Sequence, residues 1–382
     1  MKLAVYSFQS TSGIAFDVYR YLKTQNLEVT FHVSTHLNNR DKDLRSYNGL
    51  LFLFHKIVFK ILRLIRVRYY WVRHLQELIY DYISSKQLNQ RVFLITTSGW
   101  IPKTIQKNHQ LGGRSIFLCG NPCDLEISRV LDVERENVIN IKDIYNFKPR
   151  LNTYKQSLNG LDKIIAFNTF CYNSFLNYAP IEKLLLVEKI WPINNKFHNL
   201  EKTKKNNKFT FAYIGHTILL KGLHILLDAW EHVENTDVQL IIGGSIQNEL
   251  NSYFQDRLSK FSNVLYLGKV SDLYKFYNNS DVFICPSLID AGPLTMIEAM
   301  MSELPVIVSE NCGISYIIED GINGFVYKNN SHLDLAKKIN WFIENSAETF
   351  KMGQAARQTS LLRLNKSDNL MSEIESFYNF AS

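Results

Sequence analysis

The sequence of 382 residues predicts an α/β chain of two Rossmann-like parallel-sheet domains, and three observations carry that prediction. Short apolar runs alternate with stretches of helical period. This rhythm starts twice, near Leu3 and again near Phe209, with the Lys- and Asn-rich stretch NLEKTKKNNK (199–208) between the two starts. A chain with 46% hydrophobic residues is also too apolar for disorder and too long for one ordinary core, so two domains of ~150 to 190 residues are expected.

The first half opens with an apolar strand over 3–8, a polar turn QSTSG, a helical stretch IAFDVYRYLKTQ and a second strand LEVTFHV, which together read as a βαβ unit. Further strands are expected over 91–98, 115–120 and 163–168, and a parallel sheet connects them most economically. The stretch 124–153 shows no clear period. In the second half the strand FTFAYIG (209–215) precedes a helix with Leu223, Leu226, Leu227 and Trp230 at i, i+3, i+4 and i+7. Strands follow over 238–244, 264–270, 281–287, 304–310 and 324–327. The boundaries expected are 1–195 for the first domain, 205–355 for the second, and a closing helix over 356–382 that packs back on the first.

Composition narrows the function. The opening MKLAVYSFQS lacks the apolar core of a secretory signal, and five cysteines without a CxxC pair suit reduced thiols better than a disulfide frame or a zinc site; both predict a cytoplasmic chain. The net charge of +7 is local. Between Asp43 and Glu77 there is no acid, while Arg45, Lys56, Lys60, Arg63, Arg66, Arg68 and Arg73 supply seven cations. A block of that kind points to an anionic surface as partner and not to nucleic acid.

Ligands of open parallel sheets bind at the carboxyl ends of strands, so the loops there carry the candidate chemistry. In IGHTILLKG, Lys221 stands at the start of a helix, where the backbone dipole disfavours a cation. It suits a phosphate held jointly with the helix N-terminus and His216; a solvated lysine stem and a structural histidine fit the same residues. In SLIDAGPLTMIEAM (287–300), the Gly292-Pro293 step leaves Asp290 in a loop and starts a helix near Leu294. Leu294, Ile297, Met300 and Met301 are expected on its buried face and Glu298 off it. Both acids then reach one strand-end crevice, where carboxylates accept hydrogen bonds from sugar hydroxyls and the N–H groups around Gly292 to Thr295 suit an anion.

These motifs resemble the donor-binding domain of the GT-B glycosyltransferases of family four, retaining enzymes that use nucleotide sugars. IGHTILLKG keeps the family's Lys221 and Gly222 but has His216 where arginine is usual. The family's two glutamates with seven residues between them appear as Asp290 and Glu298, and EAMMSELPVIVSENCGISYIIEDGINGFVY (298–327) follows its next strand and Gly-turn pattern. The resemblance implies two domains facing a central cleft and a sugar moved from a nucleotide diphosphate to a glycan or lipid-linked acceptor without metal or cofactor. Lys221 would hold the diphosphate, Glu298 the ribose hydroxyls, Asp290 with the backbone of Gly292, Pro293, Leu294 and Thr295 the sugar, Val270 the base, and Gly215, His216 and Gly243 the remaining donor loops. In the first domain Asn121 and Asp124 are the nearest polar candidates for the reacting centre, beside Asp290 and Lys221, and the turn at Ser12 and Gly13 resembles the family's acceptor or phosphate loop. A sugar-nucleotide 2-epimerase of the same fold and an inactive partner subunit that binds nucleotide sugar are the rival readings.

The run over 50–75 is basic and apolar at once, and too short in its uncharged part to span a bilayer. Lys56, Lys60, Arg63 and Arg66, with Tyr69 and Trp71, read as an interfacial helix for the inner face of the cell membrane. A core helix with solvated Lys and Arg tips is the competing reading.

Overall fold

The computed structural model describes residues 2–7, 14–33, 44–45, 57–62, 64–65, 67–137, 144–190, 197, 208–233, 237–365 and 369–381. The chain divides into two compact units, Met1–Lys189 with Asp368–Ser382, and Ile190–Ser367.

The first unit is built on seven parallel strands, β1 (Lys2–Ser7), β2 (Val29–Val33), β3 (Leu44–Arg45), β4 (Val92–Thr96), β5 (Arg114–Cys119), β6 (Lys163–Ala166) and β7 (Leu184–Leu186). Their order across the sheet is β3-β2-β1-β4-β5-β6-β7. Strands covered on both faces must be apolar throughout, and β4 is buried along its whole length. The short strands β3 and β7 were not legible in the sequence, and the stretch without clear period holds two helices, Asp124–Asn137 and Lys148–Gly160. Their low amphipathicity has a structural cause: polar groups such as Asp124, Ser128, Arg150, Thr153 and Ser157 are buried there beside the apolar ones, which hides the 3.6-residue pattern.

The second unit carries six parallel strands, β8 (Phe209–Ile214), β9 (Val238–Gly243), β10 (Val264–Gly268), β11 (Val282–Cys285), β12 (Val306–Ser309) and β13 (Gly324–Tyr327), in the order β10-β9-β8-β11-β12-β13. The order reverses between β8 and β11, so the loops leaving those two strands flank the crevice of the sheet. That position decides where the site lies.

The end of the chain differs from expectation. It is two helices and not one: Thr349–Leu364 stays with the second unit, where Ala356 is fully buried and Arg357 donates to the Met301 carbonyl. Only Leu370–Ala381 joins the first unit, with Phe377 and Tyr378 packed against the ring of Phe93. The first boundary falls at Lys189 rather than 195. All five cysteines are free and buried, and no described helix is long and apolar enough to cross a membrane.

Candidate active site

The loop after β8 passes through a single 3-10 turn, Leu219–Lys221, and then Gly222, before the helix Leu223–Trp230 begins. Gly222 has φ of 68°, and a Cβ there would stand 1.8 Å from the Pro286 carbonyl oxygen. Only glycine lets the β8 and β11 loops approach this closely. The Leu288 N–H donates to the Leu220 carbonyl at 2.9 Å across the same contact. Lys221 Nζ thereby reaches Asp290 Oδ2 at 2.5 Å.

The compensation that a cation at a helix start requires is thus a carboxylate from the neighbouring loop of the switch point. Burial of the ammonium acts to lower its pKa, but the Asp290 charge and hydrogen bond outweigh it and hold Lys221 above the usual lysine range. Asp290 is fixed from several sides. Its Oδ1 accepts the Gly292 N–H at 3.1 Å, its own N–H donates to the Asn311 carbonyl at 3.1 Å, and its carbonyl accepts the Gly313 N–H at 2.8 Å. The lysine side chain remains 32% exposed, so it presents a face to a ligand while Asp290, at 9%, does not.

The helix Leu294–Met301 follows Pro293, which offers it no side-chain cap, so its first N–H groups are open to an acceptor. Its buried face is Met296, Ile297, Ala299, Met300 and Met301. Leu294, the first residue of the helix, is exposed, contrary to the face read from the sequence. Glu298 lies half-buried, and the buried Tyr277 places its hydroxyl 3.0 Å from Glu298 Oε2 and 3.3 Å from the Thr295 carbonyl. Burial, and then the Glu298 charge, push the Tyr277 phenol well above the usual range, so it stays a neutral donor.

The third loop completes the rim. Gly244 has φ of 108°, and a Cβ there would lie 1.8 Å from the Gly215 carbonyl. The Gly215 N–H donates to Gly243, the Thr217 N–H to Ser245 and the Gly244 N–H to Gly268, so the ends of β8, β9 and β10 are tied by backbone bonds. His216 Nδ1 lies 2.8 Å from Ser245 Oγ. If the serine donates, the imidazole carries its proton on Nε2, the nitrogen not engaged by this contact.

The geometry places a cation, a helix N-terminus and two carboxylates around one strand-end crevice, and sequence comparison shows what this part of the chain resembles. Residues 195–359 match the model described as glycosyl transferases group 1. Through this stretch the second unit is similar to the glycosyl transferases group 1 family. A capsular polysaccharide biosynthesis glycosyltransferase, CapM, of Staphylococcus aureus is 28% identical over 196 residues, 50% of this chain and 51% of the relative. A UDP-Gal:alpha-D-GlcNAc-diphosphoundecaprenol alpha-1,3-galactosyltransferase of Escherichia coli is 28% identical over 232 residues, 58% and 60% of the two chains. The chain thus spans little more than half the length of these curated relatives. Among solved structures, Anabaena HepE in complex with UDP-glucose superposes with a TM-score of 0.64 at 14% identity over 99% of both chains, and sucrose-phosphate synthase of Thermosynechococcus elongatus with 0.67 at 15% over 100% of both. The fold is GT-B.

Of the group 1 positions expected from the sequence, Lys221, Asp290, Gly292, Pro293, Thr295 and Glu298 converge on the β8 and β11 loops. Gly215, His216 and Gly243 line the β8 and β9 ends, and Val270 follows β10, its side chain against Gly243. In the first unit Asn121 is exposed after β5, but Asp124 is not a free carboxylate. Arg150 binds it at 2.9 Å and binds Glu77 at 2.9 Å, all three almost fully buried, with the guanidinium 3.8 Å from the centre of the Trp100 ring. Burial raises the Asp124 pKa to about 6 against the opposing pull of Arg150. Asp124 therefore joins the helices Asp124–Asn137 and Lys148–Gly160 through a buried ion pair.

Ser12, Gly13, Lys56, Arg63 and Arg66 lie outside the described residues. Lys60 and Trp71 are exposed, as is Tyr69. Tyr277 and Ser245 were missed in the sequence. Each acts on a residue more than twenty positions away, so no local spacing marks them.

Proposed function

We propose that the chain is a retaining glycosyltransferase that moves a sugar from a nucleoside diphosphate sugar to a glycan or lipid-linked acceptor in the assembly of a cell-surface polysaccharide. The observation that carries this reading is Lys221, held at 2.5 Å by Asp290 beside the open N-terminus of Leu294–Met301. As the bond between the anomeric carbon and the diphosphate breaks, negative charge grows on the leaving oxygen. Lys221 and the helix N–H groups would meet that charge from fixed positions, with no metal invoked. Glu298, oriented by Tyr277, would accept from the ribose hydroxyls, and Asp290 would fix a hydroxyl of the transferred sugar while leaving the exposed face of Lys221 to the phosphates. Relatives named for capsule assembly and for transfer to a diphosphoundecaprenol acceptor support the polysaccharide setting.

A cytoplasmic, peripheral position on the inner membrane face belongs to the same proposal. It is supported by the exposed Ile57, Ile61, Leu64 and Ile65 beside the cationic block. The test is incubation with UDP-, GDP- and dTDP-sugars and an undecaprenyl-diphosphate-sugar acceptor, following nucleotide release and reading the anomeric configuration of the product by NMR. An α-linked product from an α-linked donor is expected. An epimerised nucleotide sugar would replace this reading by a 2-epimerase, and binding without turnover of any donor by an inactive partner subunit.

A further inference from the structure

The strand β10 forms one edge of the second unit's sheet and, among the described residues, pairs with β9 alone. Both of its faces are open: Leu265 is 47% and Leu267 51% exposed on one, and Tyr266 36% on the other. The opposite edge strand β13 is buried except for the half-buried Val326. On the face of Leu265 and Leu267 the sheet carries a groove of about 470 Å³. Ile241, Phe276 and the two leucines form its apolar wall, and Lys269 and Lys275 stand at its rim.

The outer side of β10 presents backbone groups as well. The Leu240 N–H donates to the Asn263 carbonyl at 2.9 Å, and Leu240 stands in register with Val264, so the N–H and C=O of Val264 and Tyr266 point away from β9. The ladder slips between Tyr266 and Gly268, where Gly268 has φ of 61°, and the regular edge is Val264–Tyr266. Over these residues no charge, proline or bulge keeps another strand away. Lys260, Lys269 and Lys275 flank the edge, all exposed and none ion-paired among the described residues. The one acid of 258–275, Asp272, is engaged as the cap of the helix Leu273–Asn278, where it accepts the Lys275 N–H at 3.0 Å.

We infer that β10 is a docking edge for an extended segment of a partner protein, apolar at alternate positions and acidic at the end that lies by Lys269. The segment's backbone completes the outward groups of Val264 and Tyr266, its apolar side chains lie in the groove beside Leu265 and Leu267, and its carboxylates meet Lys269 and Lys275. Charge chooses this partner over a second copy of the chain, whose own β10 brings the same lysines and no unengaged acid to the edge. The inference does not depend on sugar transfer, since neither these lysines nor these leucines belong to the candidate donor site.

The whole chain is tested with the fluorescein-labelled peptide Glu-Glu-Val-Thr-Val-Thr-Val-Glu-Glu, acidic at both ends because either strand direction fits, and with its Lys-for-Glu counterpart. Fluorescence anisotropy is expected to show binding of the acidic peptide alone, weakening with salt. Hydrogen exchange at the Val264 and Tyr266 amides is expected to slow by at least about fivefold when it binds. Lys269→Glu/Lys275→Glu, both at exposed positions, is expected to weaken the acidic peptide by more than about tenfold, to admit the basic one and to leave UDP binding unchanged. Methylating the peptide's valine nitrogens or its threonine nitrogens is expected to abolish binding in one set only, since alternate N–H groups face β10. Binding without slowed exchange at Val264 and Tyr266 would overturn the edge, equal binding of both peptides would overturn the charge assignment, and no binding would overturn the inference as a whole. A dimer seen by light scattering and lost in Leu265→Asp would give the edge to a second copy and overturn the acidic partner. Peptide binding without turnover of any donor would leave the docking edge standing and remove the transferase reading, and turnover without peptide binding would do the opposite.

Discussion

Replacing Lys221 by Ala separates the two tasks given to this side chain. In the folded chain its ammonium neutralises Asp290, whose carboxylate is 9% exposed and keeps only the Gly292 N–H once the lysine is gone. A buried acceptor left with its partner removed costs ~1 to 3 kcal/mol, so the second unit should lose a few degrees in Tm, at ~2 to 4 °C per kcal/mol for a unit of this size. Donor affinity should fall separately, by a charge-assisted bond of ~1.5 to 3 kcal/mol, or ~12- to 160-fold in Kd for UDP. The two losses part company in the double variant Lys221→Ala/Asp290→Ala. With both partners absent no orphaned charge remains, so stability should recover most of its loss, while UDP affinity stays low. Urea denaturation and isothermal titration calorimetry at pH 7 measure the two quantities. Additive stability losses would show that the pair is not coupled, and UDP binding as tight as in the parent would remove Lys221 from the donor site.

The remaining predictions concern the groups around it. Glu298→Gln should mainly raise donor KM and Asp290→Asn mainly lower kcat, since the sugar changes charge and shape during reaction and the ribose does not; equal changes in both constants would remove that division. Tyr277→Phe deletes the hydroxyl that orients Glu298 and should raise donor KM by a few fold, ~0.5 to 1.5 kcal/mol, with kcat nearly unchanged; an effect confined to Tm would reduce Tyr277 to packing. Ser245→Ala should weaken UDP binding by a similar factor in the parent but have no effect in a His216→Arg background, because a guanidinium needs no tautomer set for it; equal losses in both backgrounds would contradict the serine's role. Asp124 binds its proton more tightly folded, at about 6, than at the ordinary 3.8, so its contribution to stability is present below pH ~4 and lost as pH rises through 6. Against the parent, Asp124→Asn should flatten the stability curve between these limits by up to about 3 kcal/mol, a difference that parallel urea-denaturation curves would contradict.

Much of the architecture was legible because strands and helices write their environment into a local period. A strand covered on both faces must be apolar throughout, which marked β1, β4, β5, β6 and five strands of the second unit, while the edge strand β10 carries the same apolar run with Leu265 and Leu267 exposed. The helices over 124–137 and 148–160 were illegible for the reverse reason: Arg150, Glu77 and Asp124 satisfy one another inside, and a pattern of polarity cannot show which charges are buried as a set. The break between Thr349–Leu364 and Leu370–Ala381 is not legible, because no Gly or Pro stands between Leu364 and Leu370.

At the site, the sequence determined the kinds of group and which loops carry them. A lysine followed by glycine after one strand, and two acids separated by a Gly-Pro step after another, are local facts that survive any arrangement of the rest. Their pairing was decided by tertiary structure. Lys221 and Asp290 are 69 positions apart, and what joins them is the strand order β8-β11 together with a glycine that tolerates a carbonyl where any Cβ would clash. The outward turn of Ile57, Ile61 and Leu64 was decided in the same way. An amphipathic period states that two faces differ, and only the packing of the neighbouring helix settles which of them is left for the solvent or the membrane.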